Sequence, residues 1–177
     1  RILFIDDKVP HLWLGSGFPR ANALHRALQG MGYFVTLYPI DVINESWEQA
    51  YSDFPRQVEI MMGMGRHLLE PFLNNRKDYY QTVIVSRPHN MQLMMAIRRA
   101  HPDWFESLEV IYDAEALFAR REVGRRELSG NPMTDEEIDV AFASEIRLTK
   151  DADCVITVSE EEREVFLNHG ARRVEVL

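Results

Sequence analysis

Cysteine is almost absent from this chain. Cys154 stands alone among 177 residues, so no internal disulfide can form. A lone thiol that opens a predicted strand leads us to expect a reducing, cytoplasmic setting. Long apolar runs are missing too: none approaches the ~20 residues a membrane span needs. No secretory signal pattern is present at the start, which opens on a strand and lacks Met. Positive charge is in deficit. Twenty Lys and Arg face 28 Asp and Glu, a net charge of −8. That balance argues against nucleic acid as the main partner, because phosphate backbones attract clustered cations. The length is enough for one domain with a core that needs no disulfide or metal staple.

Several chemistry-bearing motifs are also missing. No Gly-Lys-Ser/Thr completes a Walker loop, and no Gly-x-Ser-x-Gly elbow exists for a hydrolase. The six histidines (His11, His25, His67, His89, His101, His169) lack metal-ligand spacing, so no metal site is expected. Asp6-Asp7 has the look of a phosphoryl-receiver acidic pair. The required acceptor carboxylate has no counterpart in Met61-Met62-Gly63-Met64, so the pair reads as one loop cap and one solvated group.

What the chain does have is a series of short apolar runs, each ending in polar residues. Arg1–Ile5 runs into Asp6-Asp7, Thr82–Val85 into Ser86-Arg87-Pro88-His89-Asn90, Glu109–Tyr112 into Asp113-Ala114-Glu115, and Cys154–Val158 into Ser159-Glu160. Continuous apolar runs are the pattern of parallel strands buried on both faces. In open parallel sheets, ligands bind beyond the carboxyl ends of the strands. Further strands are expected at Tyr33–Tyr38, Val58–Met61 and Arg173–Leu177. Helices are expected near Pro19–Gln29, Glu45–Tyr51, Arg66–Asn75, after an Asn90 cap up to Pro102, over Glu115–Leu128, from a Thr134…Glu137 capping box to about Lys150, and after Glu160-Glu161-Glu162 up to Gly170. This alternation predicts an α/β fold: a doubly wound, mostly parallel sheet of about seven strands in one Rossmann-like domain over residues 1–177.

The polar ends supply the candidate site. Gly15, Ser16 and Gly17 read as a ligand-contact loop ahead of a helix N-terminus, against the plainer reading of an ordinary turn. A dinucleotide fingerprint fits poorly, since these glycines come about ten residues after the strand and lack the third Gly. Arg87 offers a fixed fork of donors to phosphate or carboxylate, and His89 exchanges hydrogen bonds near neutral pH. Asp113 and Glu115 either accept from sugar hydroxyls or act as a base, or else pair with Arg87 or cap a helix. Glu145 lies on an apolar helix face and needs a partner: it either reaches the rim of the crevice or anchors Arg147 or a backbone group. Arg120, Arg121, Arg125 and Arg126 read first as a solvated helix face; contact with an anionic membrane surface or a phosphate is the alternative.

Taken together, Ile2–Ile5, Gly15-Ser16-Gly17, Ser86–Met91, Tyr112–Ala116 and Ala152–Glu160 resemble the amino-terminal domain of GT-B glycosyltransferases, in particular the retaining enzymes of family 4. The resemblance spans the chain and rests on these few local motifs. It implies the acceptor-side half of a two-domain enzyme whose donor-binding domain is absent from this chain, so that the chain alone does not catalyse transfer. It implies a nucleotide-sugar donor, a glycan or lipid-linked acceptor, and no metal or other cofactor; peripheral contact with the cytoplasmic membrane is the partner expectation that the Arg120–Arg126 stretch adds as its alternative reading. On this resemblance His89 contacts the transferred sugar as the catalytic residue, and Gly15–Gly17 face the donor. Arg87, Asn90, Asp113, Glu115, Ser159 and Glu160 bind substrate. A Rossmann-like module that binds a glycan or nucleotide without chemistry is the alternative. A sugar-nucleotide epimerase or dehydrogenase ranks behind both.

Overall fold

A computed structural model describes residues 1–15, 17–42 and 44–177. Its centre is a seven-stranded sheet in the order β3-β2-β1-β4-β5-β6-β7, with every neighbouring pair parallel. The strands are β1 Ile2–Asp6, β2 Val35–Pro39, β3 Glu59–Ile60, β4 Thr82–Ser86, β5 Glu109–Glu115, β6 Cys154–Thr157 and β7 Val174–Val176. Order reverses between β1 and β4. That reversal is a switch point, where the chain leaves β1 and β4 in opposite directions and open parallel sheets bind ligands beyond the strand ends.

Alternation along the strands divides the apolar residues between two cores. Ile2 and Phe4 of β1 join Val35, Leu37 and Ile84 on one face, under α1 (Phe18–Gly30) and α2 (Trp47–Ala50). Leu3 and Ile5 join Val83, Val85, Val110, Tyr112 and Val155 on the other. That second face is covered by α3 (Leu69–Asn75), α4 (Pro88–Ala100), α6 (Asp135–Lys150) and α7 (Glu160–Asn168). α4 contributes Met91, Met94, Met95 and Ile97, whose three- and four-residue spacing gives it one buried stripe. α5 (Phe118–Leu128) packs mainly through its first turn and is otherwise polar, with Ala119 its one buried residue.

Local chemistry accounts for most element ends. Thr134 and Glu137 form the predicted capping box of α6, and Ser46 with Gln49 forms another at α2. The boundaries correct the sequence reading in three places. Strand β5 runs on through Asp113 to Glu115, so both carboxylates belong to the strand, and α5 begins only at Phe118. The register with β6 slips between Asp113 and Glu115, a bulge that carries the strand past its apolar run. Asn90 does not cap α4: the helix starts at Pro88, whose ring suits a first turn, and Asn90 lies inside it. Tyr33 and Phe34, and Val58 and Met61, expected in strands, fall just outside β2 and β3.

Candidate functional site

Three strand ends build the site. From β1 come Asp6 and Asp7, from β4 Ser86 and Arg87 with His89 and Asn90 in the first turn of α4, and from β5 Asp113 and Glu115. Arg87 is the hub. Its side chain is 8% exposed, and Nε donates to Asp6 Oδ1 at 2.9 Å and lies 3.1 Å from Asp7 Oδ2. Its Nη2 stands 3.9 Å from Glu115 Oε1, and its guanidinium lies 4.4 Å over the Phe18 ring. Burial works against the Arg87 charge, but Asp6, Glu115 and Asp7 outweigh it and hold the group firmly protonated. Full burial pushes the Asp6 carboxyl up to about 7, although Arg87 and the Asp7 amide pull the other way.

Asp7 serves a second function on the solvent side. Its Oδ1 meets His89 Nε2 at 2.6 Å and accepts from Asn90 Nδ2 at 2.8 Å. The His89 ring is half-exposed and oriented by that carboxylate, so its other nitrogen is left for a ligand. Asn90 also ties to the Ser86 carbonyl at 3.0 Å. Neither Asp of the pair is therefore a free solvated group, as the sequence reading had one of them. Both are assembled into the site.

Gly17 faces this group from the N-terminus of α1. Its φ is +86°, and a β-carbon there would come within 2.2 Å of the Glu115 carboxylate. Glycine is required here on both counts. Glu115 is buried, and desolvation raises its carboxyl above the usual range. Arg121 of α5 lies 3.7 Å away. Gly15 is exposed at the loop's outer end, and Ser16 lies outside the described residues. Asp113 takes a bidentate pair from Arg20 Nη1, 2.9 Å to each oxygen, and a hydrogen bond from Ser86 Oγ at 3.1 Å. Arg20 had no signal in sequence beyond its place in the first turn of α1.

Two features mark this group as more than packing. Among the described residues, only Asp78, Arg87 and Glu115 are non-glycines at positive φ, and two of the three are here. Such backbone costs on the order of 1–3 kcal/mol per residue and persists where the surroundings impose it. Several buried atoms also lack hydrogen-bond partners among the described residues: Asp6 Oδ2, Arg87 Nη2, Asn90 Oδ1, Arg20 Nη2 and both Glu115 oxygens. Beside them, between α4, α5 and α6, is a cleft of about 530 Å³ lined by Arg87, Pro88, Phe118, Arg121, Glu145 and Leu148.

The remaining predicted residues are engaged elsewhere on the same edge. Ser159 caps α7, its Oγ accepting from the Glu162 amide at 3.2 Å, and exposed Glu160 pairs with Arg163. Glu145 accepts from the Phe118 and Ala119 amides at 2.9 and 2.8 Å, the backbone partner its apolar setting demanded. The basic stretch of α5 is largely paired: Arg120 with Glu161, Arg125 with Glu122 and Arg126 with Glu137. No helix among the described residues is long and apolar enough to cross a membrane, and none of them form a metal-holding group of three or more His, Cys, Asp or Glu.

No protein-family model matches the chain, and no curated protein sequence does either. Solved structures do. Sucrose-phosphate synthase from Thermosynechococcus elongatus aligns over 99% of this chain at 15% identity, with a TM-score of 0.59. Apo UGT2 of Phytolacca americana covers 93% at 10% identity and a TM-score of 0.53. A short-chain dehydrogenase/reductase from Veillonella parvula, in complex with NADP, covers 89% at 12% identity and a TM-score of 0.51. The chain spans 47% of the synthase, 46% of UGT2 and 68% of the reductase. What these structures share with the chain is architecture, and on that ground it is a Rossmann-like α/β domain with an all-parallel sheet.

Proposed function

We propose that this chain is a glycosyltransferase domain of GT-B type, forming the acceptor-side half of an enzyme that moves a sugar from a nucleotide-sugar to a glycan or lipid-linked acceptor. The observation that carries the reading is the group at the β1–β4 switch point. A half-exposed His89 is oriented by Asp7, with Arg87 and Glu115 held in strained backbone and with Arg87 Nη2 and both Glu115 oxygens lacking a hydrogen-bond partner among the described residues. The fold likeness to sucrose-phosphate synthase and UGT2, both GT-B glycosyltransferases, supports it.

In this reading His89 contacts the transferred sugar and Gly17 gives the donor close access to the rim. Arg87 and Arg121 meet anionic groups, while Asp113 and Glu115 shape the floor. A second domain supplies the nucleotide site, transfer needs no metal, and the setting is cytoplasmic polysaccharide or glycan assembly. A dinucleotide oxidoreductase, suggested by the reductase neighbour, fits less well. Such a site sets a pyrophosphate directly past β1, where Asp6 and Asp7 place two carboxylates.

The test is turnover of a nucleotide-sugar panel, with and without chelator, by the chain in its natural sequence context with mixed glycan acceptors. His89→Ala should lower turnover at least ~10-fold, about 1.4 kcal/mol of transition-state stabilisation, with folding unchanged. Wild-type turnover in that variant would remove His89 from the mechanism. No turnover with any donor would favour a binding module.

A further inference from the structure

Trp13 is 65% exposed, yet it is not loose. Its ring lies flat against the imidazole of His11, with centroids 4.0 Å apart and planes 12° from parallel. His11 is itself buried and held at both nitrogens, by Asp53 Oδ1 at 2.5 Å and Glu45 Oε2 at 3.1 Å. The Leu12 amide donates to Asp53 Oδ2 at 2.6 Å, tying the loop down on the other side of the ring. An exposed indole anchored in this way has lost its rotamer freedom before any ligand arrives. Large rigid aromatics offer contact area at low entropic cost, which is why they recur at binding surfaces.

The outer face of Trp13 opens on a cleft of about 560 Å³ whose other walls are Glu45, Glu48, Gln49 and Ser52. Gln49 Oε1 is occupied by the Ser46 amide, so its Nε2 remains as a donor, while the Glu48 carboxylate and the Ser52 hydroxyl accept. Charge decides what fits. Each nitrogen of His11 meets a carboxylate oxygen, so the ring is fixed in place behind the indole. The imidazole covers one face of the indole and leaves the other open. An anion on the open face would meet Glu45 and Glu48, and a quaternary ammonium would leave the Gln49 Nε2 and the Ser52 hydroxyl unused. A neutral ring with an apolar face and a polar rim suits the platform: a pyranose, its C–H face on the indole and its hydroxyls toward Glu48 and Gln49.

We infer that the Trp13 cleft is a glycan subsite, separate from the switch-point group, which holds a sugar ring of a neutral oligosaccharide. Its purpose rests on the transferase reading, where it makes the acceptor an extended glycan instead of a single sugar. The experiment titrates the chain with malto-, cello-, laminari-, manno- and xylo-oligosaccharides and with choline, following the Trp13 indole N–H by NMR in the wild type and measuring affinity by calorimetry in the wild type and the Trp13 variants. At least one neutral series should shift that signal, with Trp13→Ala weakening its binding at least ~10-fold and Trp13→Phe retaining most of it. Choline should not bind. Failure of every series, equal binding by Trp13→Ala, or binding of choline at Trp13 would overturn the inference. Glycan binding lost in Trp13→Ala without transfer from any donor would keep the subsite and sink the transferase. Transfer to oligosaccharides unaffected by Trp13→Ala would do the reverse.

Discussion

Two halves of one sheet edge treat their polar residues in opposite ways. Past β6, almost every polar side chain is used up. Thr157 donates to Glu162 at 2.6 Å, Glu162 also accepts from the Leu117 amide at 3.0 Å, and Ser159 caps α7. Past β1, β4 and β5, carboxylates and guanidinium groups are buried together and yet leave atoms without partners among the described residues. Buried polar groups are normally satisfied, and the exceptions call for a reason. The closed half spends its polarity on holding helices. The open half holds its polarity ready, in strained backbone, for something that comes from outside.

Variants can break or sharpen that contrast. Arg87→Met should have the largest effect, because it leaves Asp6 buried without its cation. Loss of about 3–5 kcal/mol in urea unfolding is expected, with much of it recovered in the Asp6→Asn, Arg87→Met pair. Recovery would show that the open half is poised rather than stabilising. An acid titration of stability separates the open half from the core. His25, packed between Phe4 and Phe54, is pushed down to about 4 by burial, so the unfolded chain binds the extra proton between pH 6.5 and 4. Its stabilising share, on the order of 3 kcal/mol, is lost as pH falls through that window. Asp6 has the opposite sign. Its raised folded value means stability present below about pH 4 and lost as pH rises toward 7. His25→Gln should therefore flatten the acid loss, and Asp6→Asn should steepen it.

Gly17→Ala should cost roughly 2–4 kcal/mol, from left-handed backbone and contact with Glu115, with the Trp13 loop displaced. On the closed side, Glu162→Gln should cost about 1–3 kcal/mol, by weakening two contacts. Ser159→Ala should cost about 1 kcal/mol through its lost cap, with no change in ligand binding or turnover. A binding defect in either closed-side variant would erase the distinction between the halves.

Much of the fold was legible in sequence because parallel strands buried on both faces must be apolar throughout. Phe4, Val83, Tyr112 and Val155 announce themselves in that way. The site was legible only where a strand stopped visibly. His89 and Arg87 stood out past β4. Asp6 and Asp7 were seen but read as ordinary, because nothing local says that a residue 81 positions later will pair with one of them. Arg20 reaches Asp113 across 93 positions and left no pattern at all. Ser159 and Glu160 look in sequence like rim residues of the same rank as Asp113. The difference is in what their side chains touch, which the cap of α7 decides. Asn90 had the right residue type for a cap, but Pro88 started the helix first.

The bulge in β5 has a consequence for mutagenesis. Ala114 is the extra residue that lets Glu115, not its predecessor, stand opposite Thr157. Side-chain scanning would pass over it, since Ala114 is already alanine. Deleting it would restore a regular ladder, take Glu115 out of its positive-φ backbone and move its carboxylate from the place opposite Gly17. The acid beside Gly17 would go without any change in composition near the rim except one methyl-bearing residue. The chemistry at this edge is therefore written partly in chain length, and a one-codon deletion reaches it where a substitution at the same position does not.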